Sequence, residues 1–333
     1  MKKRLMIVSI IMSLLLVAVF LLAVSWGSYT MSIGEVVSTL FGGGSKLQST
    51  TIFDIRLPRI CVAMVVAVCL STSGCVLQSV TRNELAEPGM IGINAGAALA
   101  VVLLISSGQT TYYSTIGDAS LFVMPIVAIV GSLISGLLIY RLSYKKGVSP
   151  TRLILTGIGV NVGINAFISL YQLNMAQGDY NQVLTWISGS LWGSSWKFFY
   201  LITPLALIFL GLTIWKSKIL DVLDLGDEIA IGLGVKVEKE RKILFIYAIT
   251  LAALATSVAG NIAFLGLLGP QVVKRLVGPV HRRQIPMAAI VSCIIVLFAD
   301  SISRNVFSPI EIPVGITIAI VGVPYFIYLM LKE

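Results

Sequence analysis

Apolar residues fill this chain in about ten long runs, near 5–26, 57–79, 89–107, 121–140, 151–171, 198–215, 243–263, 264–277, 285–303 and 312–331. A span needs roughly 20 mostly apolar residues, so the runs predict membrane-crossing helices. The pattern gives an all-α, polytopic membrane protein forming a single transmembrane domain over 1–333. The seventh and eighth runs are divided only near Phe264 to Gly266. They read either as one long span plus a re-entrant piece or as two spans, the second short.

The polar stretches between runs carry the punctuation. A short interfacial helix is expected around Ile33 to Phe41. Pro88 stands where a third span would begin, a place proline tolerates well. A short polar loop is expected from Ser106 to Ala119. The stretch Val183 to Trp192 is too apolar for a plain loop and too short to span, so it predicts a half-inserted helix. Irregular backbone at membrane depth is tolerated only under protein or a water-filled cavity. Trp186, Ser188, Gly189, Ser190 and Leu191 are therefore candidates for a pathway gate, with a tryptophan-rich interface anchor as the other reading.

One segment breaks the apolar pattern. From Ile219 to Lys242 the chain is charge-rich yet keeps an apolar stripe of Leu220, Leu223, Leu225, Ile229, Ile231, Leu233 and Val235. Gly226 and Gly232-Leu233-Gly234 divide it into two short helices. Apolar residues kept in water-facing sequence suit a docking element for a partner better than a solvated linker.

Composition supports the membrane reading. Of 333 residues, 57% are hydrophobic and 12% charged, with mean hydropathy +0.95. Soluble domains carry about 25% charged residues. Net charge is +9, and its distribution decides its meaning. With the N-terminus in the cytosol and ten alternating spans, nineteen of the 24 Lys and Arg residues fall on the cytosolic side. That is the positive-inside bias of a multi-pass membrane protein with both termini cytosolic. The surplus charge is topology facing lipid, not affinity for nucleic acid. The first run, about 20 residues, exceeds the apolar core of a signal peptide and reads as a retained span.

Chemistry is sparse. Cys61, Cys69, Cys75 and Cys293 all lie inside apolar runs and read as packing residues, with no metal site. His281 is the one histidine; it reads as a solvated loop residue with no serine or carboxylate arrangement around it. No phosphate-cradling Gly-rich loop is present, no catalytic residue set can be assembled, and the spans lack ionisable residues near the bilayer midplane, as an ion-driven carrier would need. Charges cluster at the outer ends instead. Arg56 and Arg59 share a helix face with Pro58 in the first turn, and Asp300 pairs with Arg304 four residues on. The three arginines read as a positive rim for a partner's carboxylates, or as snorkelling anchors.

These residues carry a resemblance covering nearly the whole chain. Arg56-Leu57-Pro58-Arg59, Gly74 through Gln78, Thr81-Arg82-Asn83-Glu84-Leu85-Ala86-Glu87-Pro88-Gly89-Met90-Ile91-Gly92, Trp186 through Leu191, Leu225-Gly226-Asp227 with Ala230 and Leu233-Gly234, Gly260 through Gly278, and Ala299-Asp300 with Arg304, Glu311, Pro313, Val314, Gly315 and Pro324 resemble the FecCD family of ABC-transporter permeases. That family imports iron–siderophore complexes, haem and cobalamin. The resemblance implies a cobalamin-permease-like type II ABC importer fold and a permease paired with a second permease subunit, identical or related. It also implies a cytosolic ABC ATPase dimer that binds ATP-Mg, and an external substrate-binding lipoprotein. It places Leu225, Gly226, Asp227, Glu228, Ala230, Leu233 and Gly234 in the ATPase-docking segment, and Arg56, Arg59 and Arg304 against the binding protein. The expected function is import of an iron(III)–siderophore complex with no cofactor held by this chain. Haem or cobalamin import, or an autonomous ion-coupled transporter, are the alternatives. Where the family commonly has Pro-His, this chain has Pro270-Gln271.

Overall fold

The computed structural model describes residues 2–27, 29–107, 120–145, 147–308 and 310–332, and structural statements below concern these. The expected Ser106–Ala119 loop lies, from residue 108 onward, outside them. Each predicted apolar run holds a helix. The helices are α1 (Lys2–Ser25), α2 (Ile33–Leu40), α3 (Lys46–Thr50), α4 (Leu57–Thr81), α5 (Ile93–Ser106), α6 (Ser120–Ser143), α7 (Pro150–Gln172), α8 (Gln177–Ile187), α9 (Trp196–Trp215), α10 (Ser217–Asp224), α11 (Asp227–Gly232), α12 (Val237–Ala259), α13 (Leu265–Val277), α14 (His281–Asn305) and α15 (Val314–Lys332). Among the described residues, seven of the apolar stretches are long enough by themselves to cross a bilayer. The others, α5, α13 and α15, are shorter.

Helix α4 lies at the centre, packed by α1, α7, α9, α10, α12, α13 and α14. A π-helical turn, Thr51–Arg56, joins it to α3, and Pro58 occupies its first turn, where the missing N–H is one the helix could not use. Its middle is small and polar: Ser71, Thr72 and Ser73 are fully buried, and Gly74 lets the carbonyl of Gly266 approach so closely that any Cβ would collide with it. Small residues at a helix contact are how membrane helices gain dispersion energy, because lipid offers no hydrophobic drive between them. Ser73 donates to Ala248 O at 2.7 Å, tying α4 to α12 as well.

Two expectations need correction, and a third, left between two readings, is decided. Pro88 does not open a span. The chain turns from Arg82 to Gly92, and α5 starts at Ile93 after Gly92 takes φ +88°. The stretch Val183–Trp192 is not one inserted helix; α8 ends at Ile187 and the chain then runs irregularly to Ser195. The seventh and eighth runs are two helices, with α12 stopping at Ala259 and α13 restarting at Leu265. At about 1.5 Å per residue the second reaches only part of a bilayer's thickness. Phe264, at the restart, holds φ +64°, a conformation L residues avoid. Its ring packs edge-on against Phe326 of α15, with centroids 6.2 Å apart.

Candidate docking surface and pathway junction

The charge-rich segment folds as two short helices split at Gly226, as its glycines predict. Its apolar stripe divides. Leu220 and Leu223 are buried in the chain's own core with Ala230, whereas Leu225, Ile229, Ile231 and Leu233 are each more than half exposed. Glu228 and Gly234 are exposed beside them. Asp227 is turned inward: its carboxylate accepts from Arg241 Nη2 at 2.7 Å and from Arg82 Nη2. Of the expected docking residues, Leu225, Glu228, Leu233 and Gly234 thus offer a surface, Gly226 makes the break, and Ala230 and Asp227 hold the segment from behind. Arg241 is 2% exposed and also donates to Val148 O at 2.8 Å, so it fastens α11 to the α6–α7 connection.

The histidine reading is overturned at the same end. His281 is buried, its ring Nδ1 and its backbone N–H both meet Asp221 Oδ1, at 2.7 and 2.8 Å, and Nε2 lies 2.7 Å from Ser79 Oγ. Burial raises the carboxyl of Asp221, and the side-chain and backbone hydrogen bonds from His281 and its charge more than reverse that, leaving it below its ordinary value. An open cavity of about 390 Å³ adjoins, lined in part by Cys75, Arg82, Glu84, Asp224 and Lys274. Gln271, in place of the family histidine, is buried and donates to Glu84 O at 2.7 Å, while Lys274 pairs with the Glu84 carboxylate at 2.6 Å.

The predicted gate is a junction of three irregular stretches. Ser190 N–H donates to Ala259 O at 2.9 Å, and Gly315 N–H donates to Gly189 O at 2.9 Å. Gly260 stands against the carbonyl of Trp186 and Gly315 against that of Ser188, each so close that a Cβ would collide. Leu191 is fully buried and Trp192 is exposed. The end of α8, the end of α12 and the start of α15 are therefore pinned backbone to backbone, which satisfies the polar groups a break leaves open.

A polar cluster adjoins this junction, and sequence reading missed it. Glu87 is 4% exposed, with its Cβ beside Gly266, which also contacts the carbonyl of Leu70 halfway along α4. An ionisable side chain therefore does lie at mid-bundle depth, carried in by the 82–92 turn and not by a span. Its carboxyl accepts the backbone N–H of Phe264. Nearby, Asn94 Nδ2 donates to Asn261 Oδ1 at 2.8 Å and Thr256 donates to Asn94 Oδ1 at 3.0 Å. Asn161 reaches Gly89 O at 3.3 Å and accepts from Asn165, on a helix, α7, whose outer face is open.

At the opposite end the three arginines do not form a free rim. Arg56, at the end of the π turn, donates to the carbonyls of Val24, Ser25 and Tyr29, closing the end of α1. Arg304 meets Asp300 Oδ2 at 3.0 Å and donates to Ala23 O at 3.1 Å. Arg59 binds Asp300 at 2.8 Å and Glu311 at 2.9 Å. Desolvated guanidinium groups need full pairing, and the chain's own carbonyls and carboxylates supply it.

Breaks pinned inside a helical bundle, paired charges at one end and an exposed apolar patch at the other belong to a multi-pass helical membrane protein. Comparison with known proteins agrees. Residues 15–332 match the FecCD transport family. The chain is 44% identical to the iron(3+)-hydroxamate import system permease protein FhuG of Bacillus subtilis, over 98% of this chain and 97% of that protein. It is 32% identical to the Fe(3+) dicitrate transport system permease protein FecD of Escherichia coli, over 84% of this chain and 85% of that one. A solved metal-chelate type ABC transporter in an inward-facing conformation superposes with TM-score 0.86 at 28% identity, covering 100% of each chain. The chain belongs to the FecCD transport family, and is a membrane-spanning permease of an ABC importer.

Proposed function

We propose that this permease carries a ferric siderophore, of the hydroxamate class, across the cytoplasmic membrane, with both of its own termini cytosolic. The 44% identity to a hydroxamate permease over almost the full length supports the cargo class. No catalysis belongs to this chain in this reading. ATP-Mg is bound and hydrolysed by a cytosolic ATPase dimer that grips the exposed Leu225, Ile229, Ile231 and Leu233. This patch is the single observation that carries the reading, because exposed apolar side chains on a charged, water-facing segment are stabilised by a partner.

A second permease, identical or related, covers the open face of α7, where of the 23 residues only Leu153, Gly157 and Ile168 are buried. The cargo then passes between the two chains beside the 186–191 junction. An external binding lipoprotein docks at the Arg59 end. There Arg59, bonded to the half-exposed Glu311, is the arginine a partner's carboxylate can share, while Arg56 and Arg304 hold the scaffold.

The test is uptake of a radio-iron-labelled ferric trihydroxamate by proteoliposomes. Wild-type chain with its ATPase, binding protein and partner permease accumulates the chelate only with ATP. Ile229→Asp stays in the membrane but loses the ATPase. Accumulation by the permease alone under an ion gradient would instead make Glu87 the relay of an ion-driven carrier.

A further inference from the structure

The one histidine of the chain joins the docking segment to the central helix. Its ring uses both nitrogens: Nδ1 faces Asp221 of α10 and Nε2 faces Ser79 of α4, each at 2.7 Å. An ionised carboxylate only accepts, so Nδ1 carries a hydrogen; in the neutral ring Nε2 then accepts from the Ser79 hydroxyl. The backbone N–H of His281 also donates to Asp221, so the link is held from the start of α14 and not by a free rotor. Three residues beyond Ser79, Arg82 donates to Leu223 O at 3.2 Å and to the Asp227 carboxylate. The last turn of α4 is thus fastened to both α10 and α11.

We propose that His281 is a positioning residue through which movement of α10, the helix that leads into the exposed docking patch at 225–234, is passed to α4, and by α4 to the glycine junction. This rests on the reading of the 217–232 segment as the ATPase grip. The upper half of the path is also contact by contact. Gln78 reaches Gly266 O at 3.4 Å, and Gly74 seats the same carbonyl. Gly266 lies just past the 260–264 break, whose Gly260 and Asn261 backbone touches Trp186 and Gly189. Helix α4 has no proline after Pro58 and one glycine, so it moves as a rod. The cavity beside Ser79 and His281 leaves that end of the rod room to shift.

The experiment compares His281→Ala, His281→Gln, Ser79→Ala and Asp221→Asn in the complete importer, reading ATP hydrolysed per ferric trihydroxamate imported. The expected result for His281→Ala is an ATPase that co-purifies and hydrolyses as in wild type, while ATP consumed per chelate rises about tenfold. Ser79→Ala and Asp221→Asn shift the ratio the same way. His281→Gln, which again offers one donor and one acceptor, restores most of it. An unchanged ratio in His281→Ala overturns the proposal. Should His281→Ala fail to assemble, the two milder variants decide, and wild-type ratios in both overturn it. Failure of the docking reading shows separately, as an ATPase that still binds the Ile229→Asp chain.

Discussion

Arg59 and Asp300, 241 residues apart in sequence, share a two-pronged bond: Nε and Nη2 of the guanidinium both reach Oδ1, at 3.0 and 2.8 Å. Asp300 is fully buried and Arg304 approaches its other oxygen. The pair fastens the start of α4 to the end of α14, and Glu311 extends it to the segment leading into α15.

Leaving a buried charge wholly uncompensated costs about 3–5 kcal/mol, and loss of Arg59 should cost part of that, because Arg304 stays 3.0 Å from Asp300 Oδ2. Arg59→Ala should therefore lower the thermal stability of the purified permease by several degrees, besides any effect on the binding protein. Arg59→Lys should recover only part, since a lysine cannot reproduce the fork. Melting in detergent alongside binding-protein affinity separates the two roles. Unchanged melting with lost affinity would return Arg59 to a docking side chain and nothing more.

Asp227 and Glu228 are neighbours with opposite assignments. Asp227 pairs with Arg241, which is nearly inaccessible, while its own carboxylate stays partly exposed, so Asp227→Asn should destabilise the chain by about 1–2 kcal/mol. Glu228 is exposed, and Glu228→Arg should leave melting within about 0.5 kcal/mol while weakening the ATPase complex. Ile229→Asp should weaken it more, by about 2 kcal/mol or roughly 30-fold, as a lost interface anchor does. Co-purification of the ATPase with each variant, next to its melting curve, checks the division. Equal loss of stability in Asp227→Asn and Glu228→Arg would contradict it.

At the junction of the 186–191 stretch with the end of α12, Gly260→Ala should abolish import. The new methyl would strike the carbonyl of Trp186, and Gly260 also holds φ +66°. Overpacking costs about 1–3 kcal/mol and the backbone strain a similar amount. Gly211→Ala on α9 meets nothing within 4 Å and serves as the control. Uptake of labelled chelate at matched membrane levels reads the difference; equal uptake by the two variants would mean that the three breaks are not pinned as tightly as their backbones lie.

The mid-bundle acid makes a different prediction. Phe264 N–H is a donor at a strained restart, and Glu87 is its acceptor. Glu87→Gln keeps a carbonyl oxygen there and should import nearly normally, whereas Glu87→Ala orphans the N–H at about 1–3 kcal/mol and should lose stability. Normal melting of Glu87→Ala would show that the 82–92 turn holds without it.

The helices were legible because lipid makes the signal simple: every span must be apolar, so Lys2–Ser25 through Val314–Lys332 stand out by run length alone. The breaks at Gly226 and near Phe264 were legible too, since glycine and the interruption of an apolar run are local marks. What failed was depth. Pro88 and Glu87 lie in a polar turn that sequence places at a surface, yet Gly74 and Gly266 make the space that draws the turn inward. Direction failed likewise. Nothing local says that Arg56 folds back on Val24 or that His281 meets Ser79, 202 residues away. A buried polar group finds whichever partner the bundle presents, and that partner is set by tertiary packing.

Asp221 sets the last expectation, an acid limit on the link to His281. Burial favours the neutral carboxyl, but the side-chain and backbone hydrogen bonds from His281 favour the ionised form, and the balance lies below the ordinary 3.8. A carboxyl lowered on folding adds stability above its unfolded value and loses it as pH falls through the folded one. The contribution of Asp221 should thus be complete at neutral pH and disappear only under pH 3.8. Melting of wild type and Asp221→Asn across an acid series checks this: the two curves should stay apart through mild acid and converge below that point. Convergence already in mild acid would mean the imidazole leaves Asp221 before the carboxylate is protonated, and that the bond seen here does not hold α10 to the bundle under those conditions.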